Sequence, residues 1–101
     1  MSYLELFLLT VVTELLLVAV LAPRGRRATF LGICLAVNAI THPIAFELSA
    51  RTGPGGIVGI ELGVIAVEAI GYRIAGRCGL RRALLVAGLA NGITWLMSYL
   101  V

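Results

Sequence analysis

The chain has 101 residues, 60% of them hydrophobic, and a mean hydropathy of +1.06, while only 13% carry a charge. This charged share is about half the usual one, which argues against a soluble fold and, at this length, for a single domain. The net charge of +3 does not indicate nucleic acid, because all eight basic residues are Arg and seven lie in two short connectors between apolar runs.

Four apolar stretches, about residues 3–21, 28–48, 56–74 and 82–101, each have the roughly 17–25 residues a helix needs to cross a bilayer. The predicted fold is an all-α membrane protein, a four-transmembrane-helix bundle in one domain over residues 1–101. The start, MSYLELFLLT, has no basic leading segment and reads as a retained span rather than a cleaved signal.

On the first span Thr10 and Glu14 lie one turn apart, with Glu14 near mid-depth. The connector PRGRR follows, with Arg24, Arg26 and Arg27. On the second span Asn38, Thr41 and His42 share one face at i, i+3 and i+4. Pro43 comes next; it cannot donate to the carbonyl of Ala39, so a kink is expected there. The second connector, SARTGPGG, holds only Arg51 and reads as a Gly/Pro turn.

The third span carries Glu61 and Glu68, which fall on one helical stripe two turns apart. After it, YRIAGRCGLRR holds Arg73, Arg77, Arg81 and Arg82. The fourth span has Asn91, Thr94, Trp95 and Ser98 along one stripe. The Arg imbalance predicts the first and third connectors in the cytoplasm and both termini outside, with the protein integral to the inner membrane.

Polar residues recur in order. Glu14 and Asn38 flank one basic connector, and Glu68 and Asn91 flank the other. Each Asn opens an Asn-x-Ile-Thr stretch, and Arg-Arg-Ala triplets (26–28 and 81–83) lie between. Two repeated hairpins related by an axis along the membrane normal are expected. Gly55, Gly59 and Gly63, and again Gly88 and Gly92, have the spacing that lets helices approach closely, within the bundle or across a homodimer.

An ionisable group at mid-membrane costs roughly 2.5–3.5 kcal/mol on insertion scales, so it normally faces a bundle interior or an aqueous cavity. Glu14, Asn38, Thr41, His42, Glu61, Glu68 and Asn91 are therefore expected to meet in one interior site that binds an ion or substrate. His42 with Glu14 and Glu61 also offers imidazole and carboxylate donors of the kind that hold a divalent metal, without the spacing of an established metal motif. No other cofactor is indicated. Cys34 and Cys78 have no CxxC spacing and read as free thiols.

Plainer roles stand beside these. Asn38 and Asn91 serve equally well as interhelical hydrogen-bond donors. Thr10, Thr13, Thr94 and Ser98 are expected to bond back to their own helices, Thr41 less so. Glu5 and Glu47 read as solvated. Tyr3 and Tyr99 suit an outer aromatic belt, as Trp95 also could, and Tyr72 suits either an inner anchor or a hydrogen bond to Glu68.

Four spans in about a hundred residues with a glutamate on the first resembles the small multidrug-resistance exporters at Glu14. That family's aromatic pattern on the third span is replaced here by Glu61 and Glu68, so its site is not carried over. Expected function is binding or translocation of a proton, cation or small cationic substrate. A membrane-embedded enzyme acting on a lipid or other amphiphile, with His42 as base and a glutamate as acid, and an accessory subunit of a larger membrane complex are the alternatives. The partners expected are the bilayer and either a second copy or a larger membrane protein, with no nucleic acid.

Overall fold

The computed structural model describes residues 3–100, and the side chains of residues 4–53 and 55–97. Among them the chain is all-helical: α1 (Tyr3–Leu21), α2 (Arg27–Ile74) and α3 (Leu80–Leu100). The long α2 is two antiparallel arms. It is broken at Gly53, whose φ of 74° and ψ of −174° are the one non-helical backbone pair inside it. A side chain disfavours this positive φ and glycine does not, so one residue reverses the chain. Pro54, with no N–H to donate, begins the second arm, where a first-turn proline is tolerated.

The expected eight-residue turn is thus mostly helix. Its last turns before Gly53 are held by Ser49 Oγ donating to Phe46 O at 2.9 Å and by the exposed Glu47–Arg51 pair. Pro43, where a kink was expected, lies within helical dihedrals, and the break falls ten residues later. The four helical segments pack into a body of 38 × 22 × 21 Å.

Two segments, Leu4–Leu21 and Arg27–Gly53, are long and apolar enough to cross a membrane, with hydropathies of 2.4 and 1.6. The later two segments carry more glycine, and among the described residues they are not among those that reach that standard.

Burial is distributed inside-out relative to a soluble bundle. On α1, Leu4, Leu8, Val12, Leu16 and Val20 form an exposed stripe, from 52% to 79% accessible. Buried inside are Glu14, Asn38, Glu68, Asn91 and Thr94. The apolar core lies toward the basic connectors, around Val18, Phe30, Tyr72, Ala83 and Val86. There Phe30 and Tyr72 stack with ring centroids 4.7 Å apart and planes 7° from parallel.

Close approach falls on glycines other than the spaced ones. A Cβ on Gly76 would sit 2.6 Å from Tyr72 O and 2.8 Å from Phe30 Cε1, and one on Gly71 would sit 3.0 Å from Ile33 Cγ2. At Gly55, Gly59, Gly63, Gly88 and Gly92 an added Cβ meets nothing within 4 Å. Within this chain those five do not mediate helix contact.

The connectors are tied by arginine. Arg27 Nε donates to Ala19 O at 2.7 Å and Arg82 to Leu21 O at 2.9 Å, both near the C-terminal end of α1. Arg26 donates to Gly76 O and Arg77 O, just past the end of α2. A cation at a helix C-terminus meets orphan carbonyls and the negative end of the helix dipole. The ties cross: Arg26 of the first connector binds the segment after α2, and Arg82 at the start of α3 binds the end of α1.

Candidate ion-binding site

Glu14 projects from the middle of α1 into the bundle and is 1% exposed. Facing it, the second arm of α2 presents Glu68, fully buried. The nearest oxygens of Glu14 and Glu68 and the sulfur of Cys34 lie within 4.8 Å of one another. Two carboxyls can hydrogen-bond only through a proton between them. Burial without counter-charge disfavours placing two full negative charges there.

The surrounding donors are unequal. Both oxygens of Glu68 are held, Oε1 by the Tyr72 hydroxyl at 2.8 Å and Oε2 by Asn91 Nδ2 at 3.0 Å. Glu14 accepts from Asn38 Nδ2 at a longer 3.4 Å. Each Asn also donates to the carbonyl one turn back, Asn38 to Cys34 O and Asn91 to Ala87 O, both at 2.8 Å. That bond fixes the amide rotamer and aims its nitrogen at the carboxyl. The Thr three residues further on bonds back in the same way, Thr41 to Val37 O and Thr94 to Ala90 O. Back-bonding therefore includes Thr41, where it was not expected. Thr10 and Thr13 make no such bond among the described residues, and Ser98 lies outside the described side chains, as do Tyr3 and Tyr99.

Above the pair lies a cavity of about 270 Å³. Glu14, Asn38 and Asn91 lie at its inner end; Thr41, His42, Glu61 and Trp95 line it further out, toward Leu6, Ser49 and Ile57. Six of the seven residues expected in the site thus line one cavity, and Glu68 sits behind Glu14 rather than on the wall. Phe7 meets the His42 ring edge-on, with centroids 5.0 Å apart. Glu61 is half-buried and makes no hydrogen bond among the described residues. Trp95 forms part of the cavity wall.

Beyond Glu68 the bundle is tightly packed. The Phe30–Tyr72 stack, Val18 and Ala83 are all 0% exposed and separate the carboxyl pair from the basic connectors. The cavity is a cup with Glu14 at its floor and Glu68 behind it.

For metals, the compact donor group is Glu14, Cys34 and Glu68, three buried side chains close enough to hold one ion. Of the set read from sequence, only Glu14 belongs to it; His42 and Glu61 lie further along the cavity wall. Both thiols are free, Cys34 buried and Cys78 half-buried. Cys34 escaped the sequence reading because it carries no motif, although it lies one turn before Asn38 on the same stripe.

No protein-family model, curated protein or solved structure matches the chain. Its function is therefore argued from the site alone.

Proposed function

We propose that this chain is a small integral membrane protein that binds, and passes across its inner seal, a proton or a small cation at the Glu14–Glu68 pair. The observation that carries the reading is that pair, buried with oxygens within 4.8 Å of each other at the closed end of a cavity lined by Glu61 and His42. A proton held between two carboxyls leaves one net negative charge, and a monovalent cation that displaces the proton leaves the same charge. The site thus suits exchange of one for the other.

The membrane reading draws support from three features: two segments apolar enough to cross, an apolar exterior around a polar interior, and seven of eight arginines at one end. On the same grounds all four segments cross, with the basic connectors cytoplasmic and both termini outside. We read the bundle as two repeated hairpins. Glu14–Asn38 and Glu68–Asn91 are hydrogen-bonded pairs separated by 24 and 23 residues, and each Asn and each Thr after it makes the same back-bond. The Arg-Arg-Ala triplets do not share this register, since Arg27 precedes Asn38 by two residues more than Arg82 precedes Asn91.

Purified protein in liposomes carrying a pH-sensitive dye tests the reading. A proton or cation gradient should discharge faster than in empty liposomes, and Glu14→Gln or Glu68→Gln should abolish the difference while the protein stays folded. Flux unchanged in both variants would reject it.

A further inference from the structure

We infer that the basic end of the bundle is a docking surface for the headgroups of anionic phospholipids. All seven connector arginines gather there, yet they are not equivalent. Arg26, Arg27, Arg73 and Arg82 spend their guanidiniums on backbone carbonyls. Arg24, Arg77 and Arg81 are exposed, and their guanidiniums make no hydrogen bond or ion pair among the described residues.

No carboxylate balances them. The chain has five acidic residues. Glu5 lies in the first turn of α1, and Glu47 pairs with Arg51 near Gly53, both at the far end. Glu61 lines the cavity, and Glu14 and Glu68 are buried. Three guanidiniums therefore face outward with their charge unopposed, beside a shallow depression lined by Arg73, Ile74, Arg77, Cys78 and Gly79.

The ligand class follows from what adjoins the charge. Val20 is 79% exposed, Ile74 72% and Leu80 58%, each at a helix end next to the arginines. A soluble polyanion would satisfy the guanidiniums and leave these side chains in water. A phospholipid satisfies both, with its phosphate on the arginines and its acyl chains along Val20, Ile74 and Leu80. Guanidinium also offers phosphate a planar pair of N–H donors. The proposal rests on the membrane reading and not on ion handling, so gradient discharge and lipid retention fail independently.

The test uses the full chain in nanodiscs of phosphatidylcholine with a minor share of phosphatidylglycerol. Retained lipid is counted by native mass spectrometry, and thermal unfolding is followed in parallel. Phosphatidylglycerol should be enriched over its bulk share by roughly fivefold for each free arginine it meets. The enrichment should fall with added salt. Arg24→Gln/Arg77→Gln/Arg81→Gln should remove it, with unfolding in pure phosphatidylcholine unchanged. Should that triple variant fail to fold, the single changes are each expected to lower the enrichment. Equal retention of both lipids would overturn the proposal, as would enrichment that survives the triple change. Stabilisation by inorganic phosphate equal to that by phosphatidylglycerol would overturn it in favour of a free-anion site. Tighter binding of a DNA duplex than of anionic vesicles would overturn it in favour of a nucleic-acid surface.

Discussion

Tyr72→Phe isolates one bond of the buried network. The hydroxyl donates to Glu68 Oε1 at 2.8 Å, and both side chains are 0% exposed. Phenylalanine keeps the volume and the stack on Phe30, so the change strips a single donor from a buried carboxyl. An acceptor left without its partner costs about 1–3 kcal/mol; hydrogen bonds within membrane bundles average nearer 0.6 and reach about 1.7. A loss of about 1–2 kcal/mol is expected. Tyr72→Ala also removes the ring, adding a core cavity at about 3–5 kcal/mol and a stacking contact at about 0.5–1.5. Reversible unfolding in mixed micelles measures both variants. The expected order is wild type, then Phe slightly weaker, then Ala far weaker. Phe equal to wild type would mean that the hydroxyl does not hold Glu68, and Phe as weak as Ala would mean that the ring is not what packs against Phe30.

Other expectations are read with the same preparations. Gly76→Ala should destabilise by about 1–3 kcal/mol, because its Cβ would lie 2.6 Å from the Tyr72 carbonyl, whereas Gly59→Ala should not lower the stability of the single chain; equal unfolding midpoints for the two would contradict the packing around Tyr72. Asn91→Ala should cost more than Asn38→Ala, since its bond to a carboxyl is 3.0 Å against 3.4 Å, and the reverse order in the same unfolding assay would refute this. Cys78 should label only from the cytoplasmic side and a cysteine at Ser49 or Thr52 only from outside; a membrane-impermeant maleimide reaching Cys78 in intact cells would invert the proposed orientation. Crosslinking of a cysteine at Val58 is expected between two copies if Gly55, Gly59 and Gly63 form a dimer face, and monomer alone at all protein-to-lipid ratios would remove that partner.

What sequence makes legible here is whatever depends on helical periodicity. The limits of α1 coincide with the first expected span. The stripes of Glu14, of Asn38 with His42, and of Asn91 with Thr94 all face inward, because a polar stripe on an otherwise apolar helix has one favourable direction. Tyr72 as a partner of Glu68 was also within reach, since i and i+4 side chains meet on any helix. Features that depend on distant packing were not. Nothing local distinguishes Gly76, where Phe30 closes in, from Gly59, where nothing does; spacing pointed at the wrong set. Phe30 and Cys34 read as ordinary apolar positions until α2 folds back and sets them against Tyr72 and the carboxyl pair. The turn at 49–56 was overestimated because Gly and Pro suggest a loop, whereas one positive φ at Gly53 suffices.

The two glutamates are matched in spacing but not in surroundings, and the mismatch follows from residues that differ between the proposed repeats. Four residues after Glu68 stands Tyr72, whose hydroxyl takes one oxygen of that carboxyl. Four residues after Glu14 stands Val18, which is equally buried but has nothing to donate. One turn before Asn91 stands Ala87, and one turn before Asn38 stands Cys34, whose sulfur accepts from the Asn38 amide at 3.5 Å and so draws part of that donor away from Glu14. Glu68 is thus held on both oxygens, and Glu14 on one, at longer range. A group held by two short bonds has little freedom to take up a new ligand, and a group held by one long bond has more. Glu14 is also the member of the pair that lines the cavity. Under the ion-handling proposal, Glu14 is then the side chain that meets the incoming ion, while Glu68, fixed by Tyr72 and Asn91, supplies the constant field behind it.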